Sequence, residues 1–437
     1  MTKLAFTGDC ISCSQPTDYS FSLNNRVVSL LKSFDVVSGN LEMSLCGNSS
    51  FASTFCGGEW LAGDEDDLRR ILKYGFSHFN LANNHSMDYS YSGLLTTMDI
   101  LRKNGIQFSG AGKNYEESLR EARICCKENS IAIIGCTASC DDAARAGNPT
   151  EQIQGRPGVN MLRHSELLYV TEEEMKMIDR IADETKINAR FLKSVAMGIN
   201  SLDGGIHRLG RLQFVLGDKT EKKTKCNQSD LSNIITRIEL LKDEGIKVIA
   251  VHVHSHDIKG ETDDTPDDYL VEFAHKAIDA GATMIIGTGT HQLKGVEVYR
   301  HCPIFYSLGN FIFDDEYLKY WPSDFTERFG VMSSISPKEL WDYRSKGETV
   351  GLEYDPLNYR SIIPSLTIEN GVVTKVVMYP IELNFNKGKG SKGYPHLASV
   401  EQASSIFNQI YDLSCVYKTD MELKIDETDI PFFTLDI

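Results

Sequence analysis

The chain has 437 residues, 41% of them hydrophobic and 9% aromatic, which is enough apolar material for a substantial core. Its 45 Lys and Arg stand against 61 Asp and Glu, a net charge of −16, and that field excludes nucleic acid and anionic membrane surfaces as partners. No apolar run reaches the roughly 20 residues that span a bilayer, and no charged-then-apolar leader precedes the first strand, so a soluble cytoplasmic protein is expected.

Taken in chain order, Leu4-Ala5-Phe6-Thr7 reads as a strand that runs directly into Gly8-Asp9. Asp35-Val36-Val37-Ser38 is a second strand, followed by Gly39-Asn40-Leu41-Glu42. Asp64 is placed to cap a helix whose apolar stripe is Leu68, Ile71 and Leu72 and whose end is Gly75. Phe79, Leu81 and Ala82 close the next strand, and Asn83-Asn84-His85 lies on the loop before a helix beginning near Tyr91. Asp88 is expected to cap that helix; the other reading is that it orients His85. A strand at Ile131–Cys136 follows.

The alternation breaks over 141–229, where glycines and weak periodicity mark an insertion with one probable helix at Glu172–Glu184. Arg156, Arg163, His164, His207, Arg208 and Arg211 give it cationic side chains, suited to an acidic substrate or to surface ion pairs. The pattern resumes with an amphipathic helix through Leu231, Ile234, Ile235, Ile238 and Leu241. Strand Val248–Val251 then runs into His252-Val253-His254-Ser255-His256-Asp257, and strand Thr283–Ile286 into Gly287-Thr288-Gly289-Thr290-His291. Near the end, Glu369-Asn370-Gly371 is a hairpin signal between two strands expected at a sheet edge. Residues 386–394 read as a linker, and 398–413 as a helix before a last strand.

Five β-branched runs therefore end in a carboxylate, an amide or an imidazole. In open α/β sheets ligands bind at the carboxyl ends of strands, so one rim is expected to gather these groups. Mixed oxygen and nitrogen donors suit zinc, manganese or iron better than calcium, which takes oxygen alone. The eleven cysteines include only one C-x-x-C unit, Cys10 to Cys13, and read as free reduced thiols.

The segments Thr7-Gly8-Asp9, Gly39-Asn40-Leu41-Glu42, Leu81-Ala82-Asn83-Asn84-His85, His254-Ser255-His256-Asp257 and Tyr306-Ser307-Leu308-Gly309-Asn310-Phe311 together resemble the poly-γ-glutamate capsule-synthesis (CapA-type) family. That family resembles the calcineurin-like metallophosphoesterases. The resemblance implies an α/β fold with a layered β-sandwich-type core, flanking helices and an inserted subdomain. The core would take 1–140 and 230–385, the insertion would sit over the site, and 386–437 would pack a helix and tail on the core. Two departures stand at the site. Thr288 occupies a position where relatives carry histidine, a gap that His252 or His256 is expected to fill, and Asp257 stands where relatives often have glutamate.

The resulting expectation is one or two divalent transition-metal ions held by Asp9, Glu42, Asn84, His254, His256 and His291, with Glu42 bridging. His85 is expected to protonate a leaving group beside them. The expected chemistry is hydrolysis of an amide, γ-glutamyl or peptide-like, or of a phosphoester in a small acidic substrate. The alternatives are an amide-forming or acyl-transfer enzyme and a non-catalytic accessory protein that keeps the cradle.

Overall fold

The computed structural model describes residues 1–14, 25–127, 129–388 and 391–437. Part of the expected linker, residues 389 and 390, lies outside them. Two sheets carry the fold, and period-two alternation shows how they are placed. In the strand Asn129–Thr137, Ile131 and Ile133 face a core that they share with Leu4, Phe6 and Val36 of the other sheet. The alternate residues Ala132 and Ile134 face the helices Gln228–Asp243 and Asp268–Ala280 through Ile234, Ile238, Tyr269 and Phe273. On the far side, Ala5 and Val37 turn away from the shared core toward Leu68, Ile71, Leu94 and Met98. The helices there are Glu65–Leu72 and Ser90–Lys103. The sheets thus face each other and helices flank both.

At the centre of the larger sheet lies Thr2–Ser12. It pairs in parallel with Val36–Leu41, beyond which His78–Asn80 and Gln107–Ser109 continue the sheet. Its register slips between Phe6 and Asp9, and at Asp9 it takes a second parallel partner, Asn310–Asp314. A Cβ on Gly8 would stand 1.8 Å from the Gly309 carbonyl oxygen, so the two segments close on each other only because position 8 lacks a side chain. This irregularity, which bends a strand and re-aims its side chains, turns Asp9 toward the rim.

The second sheet places Val248–Ser255 between Asn129–Thr137 and Met284–Gly289, all parallel. The five strand ends expected on one sheet are therefore divided between two facing sheets. Continuous apolar runs show that a strand is buried on both faces but not which sheet holds it.

The hairpin forms as expected, with Asn370 and Gly371 both at positive φ between Arg360–Glu369 and Val372–Glu382. It is not at an edge. Arg360–Glu369 pairs with Thr2–Ser12, and the chain end adds Pro431–Leu435 and Met421–Ile425 outside it. Helix Val400–Ser414 covers the shared core with Ala403, Ile406 and Ile410.

Within 141–229 the strands His164–Val170, His207–Leu209, Leu212–Leu216 and Glu221–Cys226 form a sheet of their own. A small core of Val170, Met175 and Phe214 holds it. It meets the main body where Lys222 and Thr224 bond Asp267 at the start of helix Asp268–Ala280. Among the described residues no helix is long and apolar enough to cross a membrane.

Phe6 reports on the face shared by the two sheets, because it is fully buried there with its ring 5.6 Å from that of His252. Phe6→Ala is expected to lower unfolding stability by about 3–5 kcal/mol in urea melts. A loss under about 1 kcal/mol would show that the sheets are not packed through this residue.

Candidate metal centre

Strand register brings the site together before any side chain is considered. Asp9 lies level with Asn40 on one side and Asn310 on the other, and Asn40 lies level with Asn80. In the facing sheet His254 is level with Thr288. Glu42 follows the end of Val36–Leu41, and His291 follows Met284–Gly289. His291 sits at φ 60°, a conformation unfavourable for a side chain bearing a Cβ. Its Nδ1 is held there by Asn310 Oδ1 at 2.8 Å.

Two groups of ligand atoms result, each lying within 4.8 Å of one another: Glu42, His254 and His256, and Asp9, Glu42 and His291. Glu42 is common to both. Its Oε1 is 3.4 Å from His254 Nε2 and 3.5 Å from His256 Nε2. Asp9 accepts from Asn40 Nδ2 at 2.8 Å and from the Gly289 amide at 3.0 Å. Asn84 turns its Oδ1 onto His254 Nε2 at 2.8 Å, so both atoms border the same space.

Whether these residues fit a cation can be tested on their own bonding. Both oxygens of Glu42 are buried without a hydrogen-bond partner, and so is His256 Nε2. Asp9 is fully buried, and desolvation, then the charge of Glu42, pushes its carboxyl up to about 8. Glu42 is also raised, first by burial. His254 and His256 are both pushed down, chiefly by desolvation, which leaves them neutral as ligation requires. Unpartnered buried carboxylates are costly, and a cation between them would both satisfy their oxygens and return Asp9 to its ionised form. The donors fit a divalent transition metal.

Of the two histidines expected to fill the Thr288 gap, His256 lies in a ligand group and His252 does not. His252 bonds Ser38 Oγ at 2.9 Å beside His78, in the interior between the sheets. Thr288 turns its hydroxyl to His254 Nδ1 at 3.0 Å, leaving Nε2 to face Glu42. A partner on the far nitrogen fixes the ring and tautomer of a ligating histidine. Cys10 and Cys13 are buried thiols outside both groups, and all eleven cysteines are free.

His85 belongs to neither group. Its Nδ1 donates to Asp88 Oδ2 at 2.7 Å. Burial lowers the imidazole's proton affinity, but the charge and hydrogen bond of Asp88, then Glu42 and Glu59, outweigh it and the net shift is upward. Asp88 is not the helix cap expected from the sequence. Helix Ser90–Lys103 has Tyr89 at that position and no side-chain cap. Asp88 instead accepts from the amides of Gly57 at 3.0 Å and Leu61 at 2.9 Å, fastening a loop that returns over the site.

That loop forms one wall of an open cleft of about 400 Å³, lined by Phe55, Cys56, Gly57 and Gly58. Asn84 and His256 border it, and Ser139, Cys140 and Asp141 stand across. Most of the cationic residues named in the insertion are engaged elsewhere. Arg163 grips Asp230 at 2.7 and 2.9 Å, His207 bonds Asp179 at 2.8 Å, Arg208 lies 3.9 Å from Asp203, and Arg156 bonds the Arg145 carbonyl. His164 stacks on Tyr269 and lies 3.8 Å from Asp257.

Sequence reasoning gave no role to Asn40, Asn310 or the 57–61 loop. The first two were visible as amides at strand ends, whereas the loop carries no local signal.

Comparison with known proteins accords with this arrangement. The family described as "Bacterial capsule synthesis protein PGA_cap" matches residues 3–315. An uncharacterized protein, y4sH, of Sinorhizobium fredii is 27% identical over 92% of this chain and 86% of its own length. The capsule biosynthesis protein CapA of Bacillus anthracis is 25% identical over 68% of this chain and 54% of its own. A probable polyglutamine synthesis accessory protein of Mycobacterium tuberculosis is 26% identical over 54% and 45%. The strand ends that carry Asp9, Glu42, Asn84, His254, His256 and His291 all fall inside the matched span, and the chain belongs to the bacterial capsule synthesis protein (PGA_cap) family.

Proposed function

We propose that this protein is a metal-dependent hydrolase of capsule or polyglutamate metabolism, acting on a γ-glutamyl or peptide-like amide of an acidic substrate. The observation that carries the reading is the Glu42 carboxylate, shared by both ligand groups and without a hydrogen-bond partner on either oxygen. In this reading Asp9, Glu42, Asn84, His254, His256 and His291 would hold manganese, zinc or iron, with Glu42 available to both positions. Bound there, the ions supply Lewis acidity and an activated water at neutral pH.

The chain's own residues do the rest. His85, protonated and held by Asp88 through Nδ1, has Nε2 directly behind Gly57 of the cleft wall and in this reading delivers a proton to the leaving nitrogen. The Gly57 wall keeps that ring in place: a Cβ on Gly57 would lie 2.8 Å from His85 Nε2 and 2.6 Å from Asn84 Nδ2. Phosphoester hydrolysis is less well supported, because no Arg or Lys is among the lining residues, Arg328 reaching only the outer side of Gly58, and phosphate recognition favours bidentate arginines. The likeness to metallophosphoesterases, in layering as in cradle, belongs to the same proposal. The free cysteines support a reducing, cytoplasmic setting. An accessory role has the name of the mycobacterial relative in its favour, whereas a buried His85 raised by Asp88 beside the ligand groups favours acid catalysis.

Purified wild-type protein is expected to contain transition metal by elemental analysis, to lose amidase activity on chelation and to regain it with added metal. Glu42→Ala should empty both positions, and retention of the wild-type stoichiometry would remove the bridging assignment.

His85→Ala should keep its metal while turnover falls about 10²–10⁴-fold, the usual share of acid–base catalysis. Asp88→Asn should also keep metal and lose part of that rate. Metal lost together with activity in His85→Ala would make His85 a ligand.

A further inference from the structure

Several arginines lie over aromatic rings in this molecule, and a comparison among them singles one out. Arg102 over Phe108, Arg208 over Phe191, Arg300 over Tyr299 and Arg344 over Trp341 each also contact a carboxylate. Arg328 lies 5.1 Å over Trp60, and among the described residues no carboxylate reaches it. It is exposed, at the last turn of helix Ser323–Phe329. The neighbouring cations of that segment are neutralised: Lys319 by Asp67, Arg344 by Glu59 and Glu353.

The location of Arg328 matters as much as its lack of an acid. One terminal nitrogen donates to the Gly58 carbonyl, and the other lies 3.7 Å from Cys56 Sγ. Both residues line the cleft, and Gly57 between them presses on His85 and Asn84. Stacking on Trp60 and the bond to Gly58 hold the guanidinium in one orientation with other N–H donors unused. That is a preorganised receptor for a planar anion. The cleft is also lined by Asp141 and the protein as a whole carries −16, so a cation at the rim is what would draw an acidic substrate against that field.

Resting on the proposed action on an acidic amide, we infer that Arg328 is the specificity-determining residue of the cleft. It pairs with a free carboxylate on the unit next to the bond being cleaved. The chemistry recognised is a carboxylate on a γ-linked acidic chain, and a neutral amide of the same shape loses the pairing.

Equilibrium binding separates this inference from the hydrolase reading, because it needs no turnover. The probes are a γ-linked pentaglutamate with free α-carboxylates and the same pentamer with every α-carboxylate converted to the amide. Wild-type protein is expected to prefer the free acid. Arg328→Gln should weaken free-acid binding by roughly tenfold, the scale of one partly solvated charge-assisted pair, and leave the amide form unchanged. Arg328→Lys should restore part of the difference. Equal losses for both probes would show that Arg328 only shapes the loop, and unchanged free-acid binding, or no preference in the wild type, would equally overturn the assignment. Intact binding with no hydrolysis would instead remove the hydrolase reading and leave Arg328 as the carboxylate receptor.

Discussion

The arrangement at the strand ends turns on the uncompensated charge of Glu42. A fully buried carboxylate with no donor on either oxygen is not stable in a protein interior unless it is neutralised by a proton or by a cation. Asp9, 33 residues earlier in the chain and raised by burial and by Glu42 itself, shows the same strain from the other side. His254 and His256, kept neutral by burial, each bring a lone pair without charge, and His291 stands beside the same two acids, which favours a cation as the solution. The two-sheet architecture serves this point. One sheet delivers the carboxylates, the other the imidazoles, and neither holds a complete ligand set.

Much of this was legible in the sequence, because the candidate ligands stand where apolar runs stop. A β-branched run of four or five residues fixes a buried strand, and a carboxylate or imidazole directly after it has no place in a core. Asp9, Glu42, His254 and His291 were readable on that ground, and Asn370-Gly371 on its turn chemistry. What could not be read depends on segments distant in the chain. Asp88 looks like a cap because nothing local shows that residues 57 to 61 return to bond it. The hairpin looked like an edge because its outer neighbours come from the last residues of the chain. The arginines of the insertion, open to either reading in sequence, are mostly taken up by ion pairs and backbone bonds.

The loop over the cleft joins the two halves of the proposed chemistry. Asp88 holds it from beneath by the amides of Gly57 and Leu61, and the same carboxylate orients His85. From outside, Arg344 binds Glu59 and is itself gripped by Glu353 at 2.7 and 2.8 Å, while Arg328 binds the Gly58 carbonyl. The loop cannot shift without moving the partner of the proton donor or the seat of the guanidinium. Rigidity here has a reason in the glycines: Gly57 packs where a Cβ would strike Asn84 and His85, so the wall, the amide ligand and the acid share one set of contacts. If the proposed chemistry holds, the selection of a carboxylate at the rim and the aim of a proton at the floor rest on the same few residues of backbone.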